Sequence, residues 1–307
     1  MTASNISVTQ PVGQAIERVK RLLFQPFDPA RWFVIGFCAW LAYLGQTGFH
    51  GGYNYQTGRS KSGTSSGLGQ ALEQAWHYVL QNLWWIVPVA VAIAVLAVAI
   101  WLLVLWLSSR GHFMFLHCVA LNMVEVQVPW QKFVREGNSL FVFRLVLGLS
   151  AFVVMVPLAA GITYLIWRMA DHRALTLPGV MGVAGLGIIA MICVLGFAVV
   201  VKLTTDFVVP IQFLRGVKCV EAWRMLLSLL SANIGSLIVY LLFQIVLAIA
   251  IFTLILMVVV ATCCVAGCLL AIPYLGTVLL LPVLIFSRAY SLYYLAQYGN
   301  EYKVIVD

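Results

Sequence analysis

Asp206 is the residue on which most of the chemistry of this 307-residue chain would have to rest. It comes a few residues after a long apolar run, with Lys202 before it and Phe207, Val208, Val209 and Pro210 behind it. A carboxylate at or near membrane depth is costly and is normally paired or turned to water. Partners of the right sign are Lys202 and Arg215 on the same segment, and Arg110, Arg144 and Arg288 from elsewhere. A structural ion pair or helix cap is the favoured use, with an ion or proton site as the alternative. Pro210 has no amide for the carbonyl of Asp206, so a bend or hinge is expected between the two.

Other chemical raw material is thin. His112 and His117 are five apart, a spacing that does not align them on one helix face for a metal, and interfacial packing is favoured. Cys263, Cys264 and Cys268 could form a soft-metal or redox cluster, but small polarizable residues beside a turn are the simpler reading. The sequence contains no glycine-rich phosphate loop, no serine–histidine–acid set and no paired Cys/His zinc spacing. Neither cofactor nor metal is expected, and an enzyme is disfavoured.

The chain that must position these residues is 63% hydrophobic and only 9% charged, with a mean hydropathy of +1.01. Soluble domains carry roughly a quarter charged residues. The composition therefore belongs in a bilayer, as one membrane domain over 1–307. The net charge of +8 lies beside apolar spans and not in a run with interleaved exposed aromatics, which favours anionic lipid headgroups and disfavours nucleic acid. Seven cysteines, mostly within or beside apolar runs, do not make a secreted disulfide framework. The first 25 residues lack an uninterrupted apolar stretch, so the first span is expected to target the chain.

Hydrophobic runs predict an all-α polytopic fold of six transmembrane helices, over about 32–49, 84–107, 140–167, 177–201, 236–262 and 275–297. Short amphipathic interfacial helices are predicted over about 12–25, 68–82, 129–138 and 216–232. Asp28 followed by Pro29 reads as the cap and first residue of a helix. The stretch 50–69 is rich in Gly, Ser and Thr and reads as a loop. Glycines 179, 182, 185 and 187 suggest a packing face. Trp130 to Asn138 before span three loosely matches Trp223 to Asn233 before span five, which fits either a duplication or simple architecture.

Orientation follows from Lys and Arg. Arg18, Lys20, Arg21, Arg31, Arg110, Lys132, Arg135, Arg144, Lys202, Arg215, Lys218, Arg224, Arg288 and Lys303 fall on one side, against Arg59, Lys61, Arg168 and Arg173 on the other. Both termini are thus expected in the cytoplasm. Arg18, Lys20, Arg21, Lys132, Arg135, Lys218 and Arg224 form an expected basic collar for anionic headgroups.

Several short motifs carry a family resemblance. They are Pro26-Phe27 with Arg31-Trp32, Ser108-Ser109-Arg110-Gly111 with Phe113, Asp206 through Pro210, Ala222-Trp223, and Arg288 through Tyr293. Together they resemble a group of uncharacterised bacterial six-span membrane proteins. That group is distantly similar to the membrane domain of some glycerophosphoryl diester phosphodiesterases. The resemblance implies a bacterial cytoplasmic-membrane protein, and the catalytic domain of those enzymes is absent. The expected function is a non-enzymatic envelope scaffold or accessory subunit that binds lipid and a membrane partner or another copy of itself. A transporter or channel for a small solute or lipid is the alternative.

Overall fold

The computed structural model describes residues 7–44, 82–123, 126–171, 177–262 and 265–305. The expected 68–82 helix apart from Asn82, the 50–69 loop, Arg173 and two of the clustered cysteines, Cys263 and Cys264, lie outside them. Every element among the described residues is helical.

Helix α1 (Gln10–Leu23) is followed by α2 (Pro29–Ala42), whose cap is as expected, the Ala30 amide donating to Asp28 Oδ1 at 2.9 Å. Then come α3 (Leu83–Leu121), α4 (Gln127–Lys132), α5 (Val134–Asp171) and α6 (Leu177–Leu203). A π-helical turn, Thr204–Val208, joins α6 to α7 (Val209–Arg215). The chain ends with α8 (Cys219–Ala232), α9 (Ile234–Ala261), α10 (Val265–Ala271), α11 (Pro273–Leu279), α12 (Leu281–Ala296) and a 3-10 turn at Asn300–Tyr302.

Four helices are long and apolar enough to cross a membrane: Trp84–Leu121, Val134–Asp171, Leu177–Arg215 and Ile234–Ala261. A fifth crossing is possible if α11 and α12, bent by 62°, count as one. These long apolar helices are the signature of a membrane-embedded protein. The first expected span is a helix of only 14 residues, about 21 Å long, short of the ~30 Å hydrocarbon core. Residues 45–49 of that span lie outside the described residues.

Boundaries also move. Span two runs on through Ser108–His117 to Leu121, where Asn122 at φ 56° stops it. The 129–138 helix is divided, its second half being the start of α5, so Asn138 lies inside a continuous helix whereas Asn233 separates α8 from α9. The suggested internal match therefore does not extend to the elements themselves.

The core gathers at one end of the long helices. It takes α1, α2, the last turns of α3, the first turns of α5, the π turn with α7, α8, and α12. Along α5 only Gly137 and Leu140 are buried, along α6 only Leu203, and along α9 only Tyr240. Beyond the core, α5 and α6 form an antiparallel hairpin in which a Cβ on Gly161 would meet Leu186 and one on Gly182 would meet Leu165. Gly185 and Gly187 face open space, so these two members of the expected glycine face do not pack against a neighbour.

Helix α1 does not use its apolar stripe on lipid. Pro11, Ala15, Arg18, Leu22 and Leu23 are buried, and the helix packs on α12. The Ser7 amide donates to Gln297 Oε1 at 2.8 Å and Gln297 Nε2 donates back to the Ser7 carbonyl at 2.9 Å, so the two ends of the chain meet. Helix α8 buries Cys219, Ala222, Leu226 and Leu230, again one stripe. Its first turn is held by Ser139 Oγ, which accepts from the Cys219 amide at 2.9 Å. Burial pushes the Cys219 thiol from 9.0 up to about 12, against the opposing pull of Arg144. A thiol raised in the folded state contributes stability that is full below the unfolded value and is lost as pH rises through the folded one. Stability should therefore decline between pH 9 and 12, and Cys219→Ala should remove part of that decline in alkaline unfolding measurements.

Candidate functional site

The π turn at Thr204–Val208 is built by Pro210. A proline four residues after Asp206 cannot donate to the Asp206 carbonyl and its ring would collide with it in an α-helix. Widening by one residue relieves both: the Val209 amide reaches back to Thr204 O instead of Thr205 O. The expected hinge is thus a local bulge inside a span that continues from Leu177 to Arg215. The bulge leaves the Thr205 carbonyl free of its helical donor, and Arg288 Nη1 from α12 donates to it.

Asp206, only 6% exposed, takes its partners from two helices. Lys202 Nζ stands 3.0 Å from Oδ2, one helical turn back, and Tyr240 of α9 donates its hydroxyl to the same oxygen at 2.9 Å. Gln244 Nε2 donates to Tyr240 Oη at 3.0 Å and closes the chain. Around this lies an aromatic stack: Tyr240 has ring centroids 5.0 Å from Phe207, 4.5 Å from Tyr294 and 5.9 Å from Tyr290.

The other expected partners of Asp206 go elsewhere. Arg215 pairs with Glu301 at 2.8 Å and lies over the Tyr302 ring, tying the C-terminal turn to α7. Arg110 is sandwiched by Trp106 and Trp130, at 4.3 and 5.0 Å from their ring centres. Trp106 is thereby part of the protein's own packing, and its indole donates to Asn138 at 3.1 Å. Arg144 does not snorkel outward. It donates to Ser108 Oγ at 3.3 Å, and its Nη2 is 2.9 Å from His112 Nε2. Because a guanidinium can only donate, His112 must accept through Nε2 and carry its proton on Nδ1.

The structure therefore assembles Asp206, Pro210, Lys202 and Arg288 at one place, with Arg144 and His112 at a second. His117 is not brought to His112; it packs between Phe133 and Phe213. The described residues hold no group of three His, Cys, Asp or Glu side chains that could bind a metal. Cys268, one of the three cysteines near one another in sequence, is exposed. The close cysteine pair is a different one, Cys118 and Cys38, with sulfurs 3.9 Å apart in the core as free thiols.

Of the basic collar, Lys20, Arg21, Lys132, Arg135, Lys218 and Arg224 are exposed, as headgroup contact would require. Arg18 is not among them. Its guanidinium is buried and donates to the Val119 carbonyl at 3.1 and 3.0 Å and to the Ala120 carbonyl at 2.8 Å. It thus serves the carbonyls that the last turn of α3 leaves without helical donors. The spacing Ala15, Arg18, Leu22 was the signal that Arg18 shares the buried stripe. Arg18→Leu should cost about 2 kcal/mol or more, since each orphaned buried carbonyl costs roughly 1–3 kcal/mol. Lys20→Leu is the exposed control, compared by chemical unfolding in detergent.

A cavity of about 800 Å³ opens between α3, α5 and α6. Trp101, Val104, Leu147, Ala151, Phe197 and Val201 line its walls, and Ser108 and Arg144 supply the polar end. Asp206 is not among its lining residues.

These features define a class, an all-helical membrane-embedded protein with a polar core layer at one end of its long helices. The chain belongs to the Family of unknown function (DUF7544), whose model matches residues 6–281 and stops where α12 begins. No curated protein and no solved structure matches the chain. The resemblance to the membrane domain of glycerophosphoryl diester phosphodiesterases finds no support in these comparisons.

Proposed function

We propose that this protein is a non-enzymatic integral component of the bacterial cytoplasmic membrane, a scaffold or accessory subunit that holds anionic lipid and a second membrane protein. The observation that carries this reading is the uneven burial of the long helices. Their core ends are locked together by aromatic and guanidinium contacts, while the residues beyond have few neighbours within the chain. Helix α9 is the clearest case: past Tyr240 none of its residues is buried, and Ile249, Phe252 and Met257 are 61%, 66% and 72% exposed. In a bilayer, helix association draws on packing and interhelical hydrogen bonds, which an isolated helix lacks. A rigid core presenting unpaired apolar helices suits a partner-holding role.

In this reading the chain crosses six times, α2 with the residues after it forming the first passage and α11 with α12 the last. Both termini lie in the cytoplasm, a view supported by the lysine and arginine distribution and by the Ser7–Gln297 contact. Photo-crosslinking from positions 249, 252 and 257 in intact cells tests the proposal. A discrete protein adduct, or a self-adduct, is expected from at least one of them. Adducts to lipid alone at all three would overturn the reading.

The buried acid beside a π turn favours a second reading, transport of a small solute, because such turns often mark functional sites. Solute flux in proteoliposomes that is abolished by Asp206→Asn but kept in an equally destabilised packing variant would support it. No flux across a broad panel would exclude it.

A further inference from the structure

Two guanidiniums of the core layer, the buried Arg288 and the partly buried Arg144, make no direct ion pair. Asp206 is already paired with Lys202, and among the described residues no carboxylate lies within ion-pair distance of Arg144 or Arg288. Arg144 meets only a hydroxyl and a neutral imidazole. Arg288 is 3% exposed and makes its hydrogen bond to a carbonyl, its Nε and Nη2 having no partner. Buried charge of one sign calls for a counter-charge.

Arg144 stands where such a counter-charge could arrive, at the polar end of the apolar cavity. The cavity is within the roughly 300–1,000 Å³ range of ligand sites. Its wall on α3 runs from Ser108 back to Ala97, about 16 Å of helix. That is close to half of the ~30 Å hydrocarbon thickness, the depth of one leaflet. The occupant that matches both ends has one anionic group and an acyl chain of leaflet length. Free phosphate would leave the walls empty, and an apolar helix from another copy would leave Arg144 unneutralised.

We infer that this cavity binds one anionic phospholipid, with its phosphate on Arg144 and an acyl chain along Val104, Trp101 and Ala97. The site lies between helices and is separate from the exposed collar. It names the lipid of the scaffold reading and rests on that reading.

The test uses full-length protein in nanodiscs of phosphatidylcholine with or without phosphatidylglycerol, followed by native mass spectrometry of the released protein. One phosphatidylglycerol per chain is expected to remain bound, with phosphatidylcholine retained at least tenfold less. Arg144→Gln should lower phosphatidylglycerol retention tenfold or more, with Arg144→Lys restoring part of it. Ala151→Trp, which fills the cavity and leaves Arg144 in place, should also abolish retention, whereas Gly185→Leu, facing open space, should not. Thermal unfolding midpoints show whether each variant folds, and a cavity variant that fails to fold is replaced by Leu147→Trp. Equal retention of both lipids, retention that survives Ala151→Trp, or a free fatty acid or second copy found in the cavity would each overturn the inference. Crosslinking from α9 in Arg144→Gln separates the two proposals: partner adducts that persist while the lipid is lost uphold the scaffold and isolate the lipid site.

Discussion

Gly111→Ala is expected to be among the most destabilising single changes in the chain. At Gly111 helix α3 lies against the backbone of α2: a Cβ there would fall 2.5 Å from both the Ala42 nitrogen and the Leu41 carbonyl carbon. These are backbone atoms of a helix end already held by Ser108 Oγ, which donates to the Ala42 carbonyl at 2.7 Å, so the helices must part to admit one methyl. Overpacking typically costs 1–3 kcal/mol, and the absence of a movable side chain puts this site at about 3 kcal/mol. Gly185→Ala and Gly196→Ala, where a Cβ meets nothing within 4 Å, should be neutral or gain roughly 0.5–1 kcal/mol from reduced backbone entropy. Chemical unfolding of the three variants in one detergent checks the contrast. A Gly111→Ala protein as stable as the parent would mean that the α2–α3 contact is looser than described.

The second large effect is expected at Asp206. Removing one partner from a buried charge network costs about 3–5 kcal/mol when the remaining charge is sealed off. Here Lys202 is 41% exposed at its side chain and can return to water, so Asp206→Ala should fall at the lower end, about 3 kcal/mol. Tyr240→Phe should cost about 1.5–3 kcal/mol, the range for a hydrogen bond to a charged group. The double variant should cost less than the sum, because Tyr240 and Asp206 share one interaction. Strict additivity in this cycle would show that the 2.9 Å contact contributes nothing.

Much of this fold is written in local sequence. Long apolar runs give α3, α5, α6 and α9, and the Asp28–Pro29 pair gives the start of α2. The Lys202–Asp206 pair is legible as well, because its members are one turn apart on a single helix. What the sequence did not disclose depends on which elements meet. Arg18 was placed with Lys20 and Arg21 on a polar face because its neighbours are charged, yet its helical register puts it between Ala15 and Leu22, and only the arrival of α3 supplies its carbonyls. The Pro210 break was read as a hinge, since a missing amide says that the ladder is interrupted but not whether it bends or widens. The Arg144–His112 and Cys38–Cys118 contacts join helices with no local signature. The first of the six expected spans draws on residues 45–49, which lie outside the described residues, and α2 itself is 14 residues long.

The meeting of Ser7 with Gln297 bears on how the protein is made. Helix α1 leaves the ribosome well before α12, yet its buried face is completed by α12, whose Tyr290 hydroxyl donates to the Val8 carbonyl at 3.1 Å, 282 residues away. Contacts so distant in sequence form late and slowly. The four long helices described between α1 and α12 must therefore be inserted while Ala15, Leu22 and Leu23 wait uncovered, and this core closes only when α12 has left the translocation machinery. Synthesis arrested before residue 281 should yield a chain that is inserted yet open at its N-terminal helix, a substrate for quality-control proteases rather than a smaller working protein.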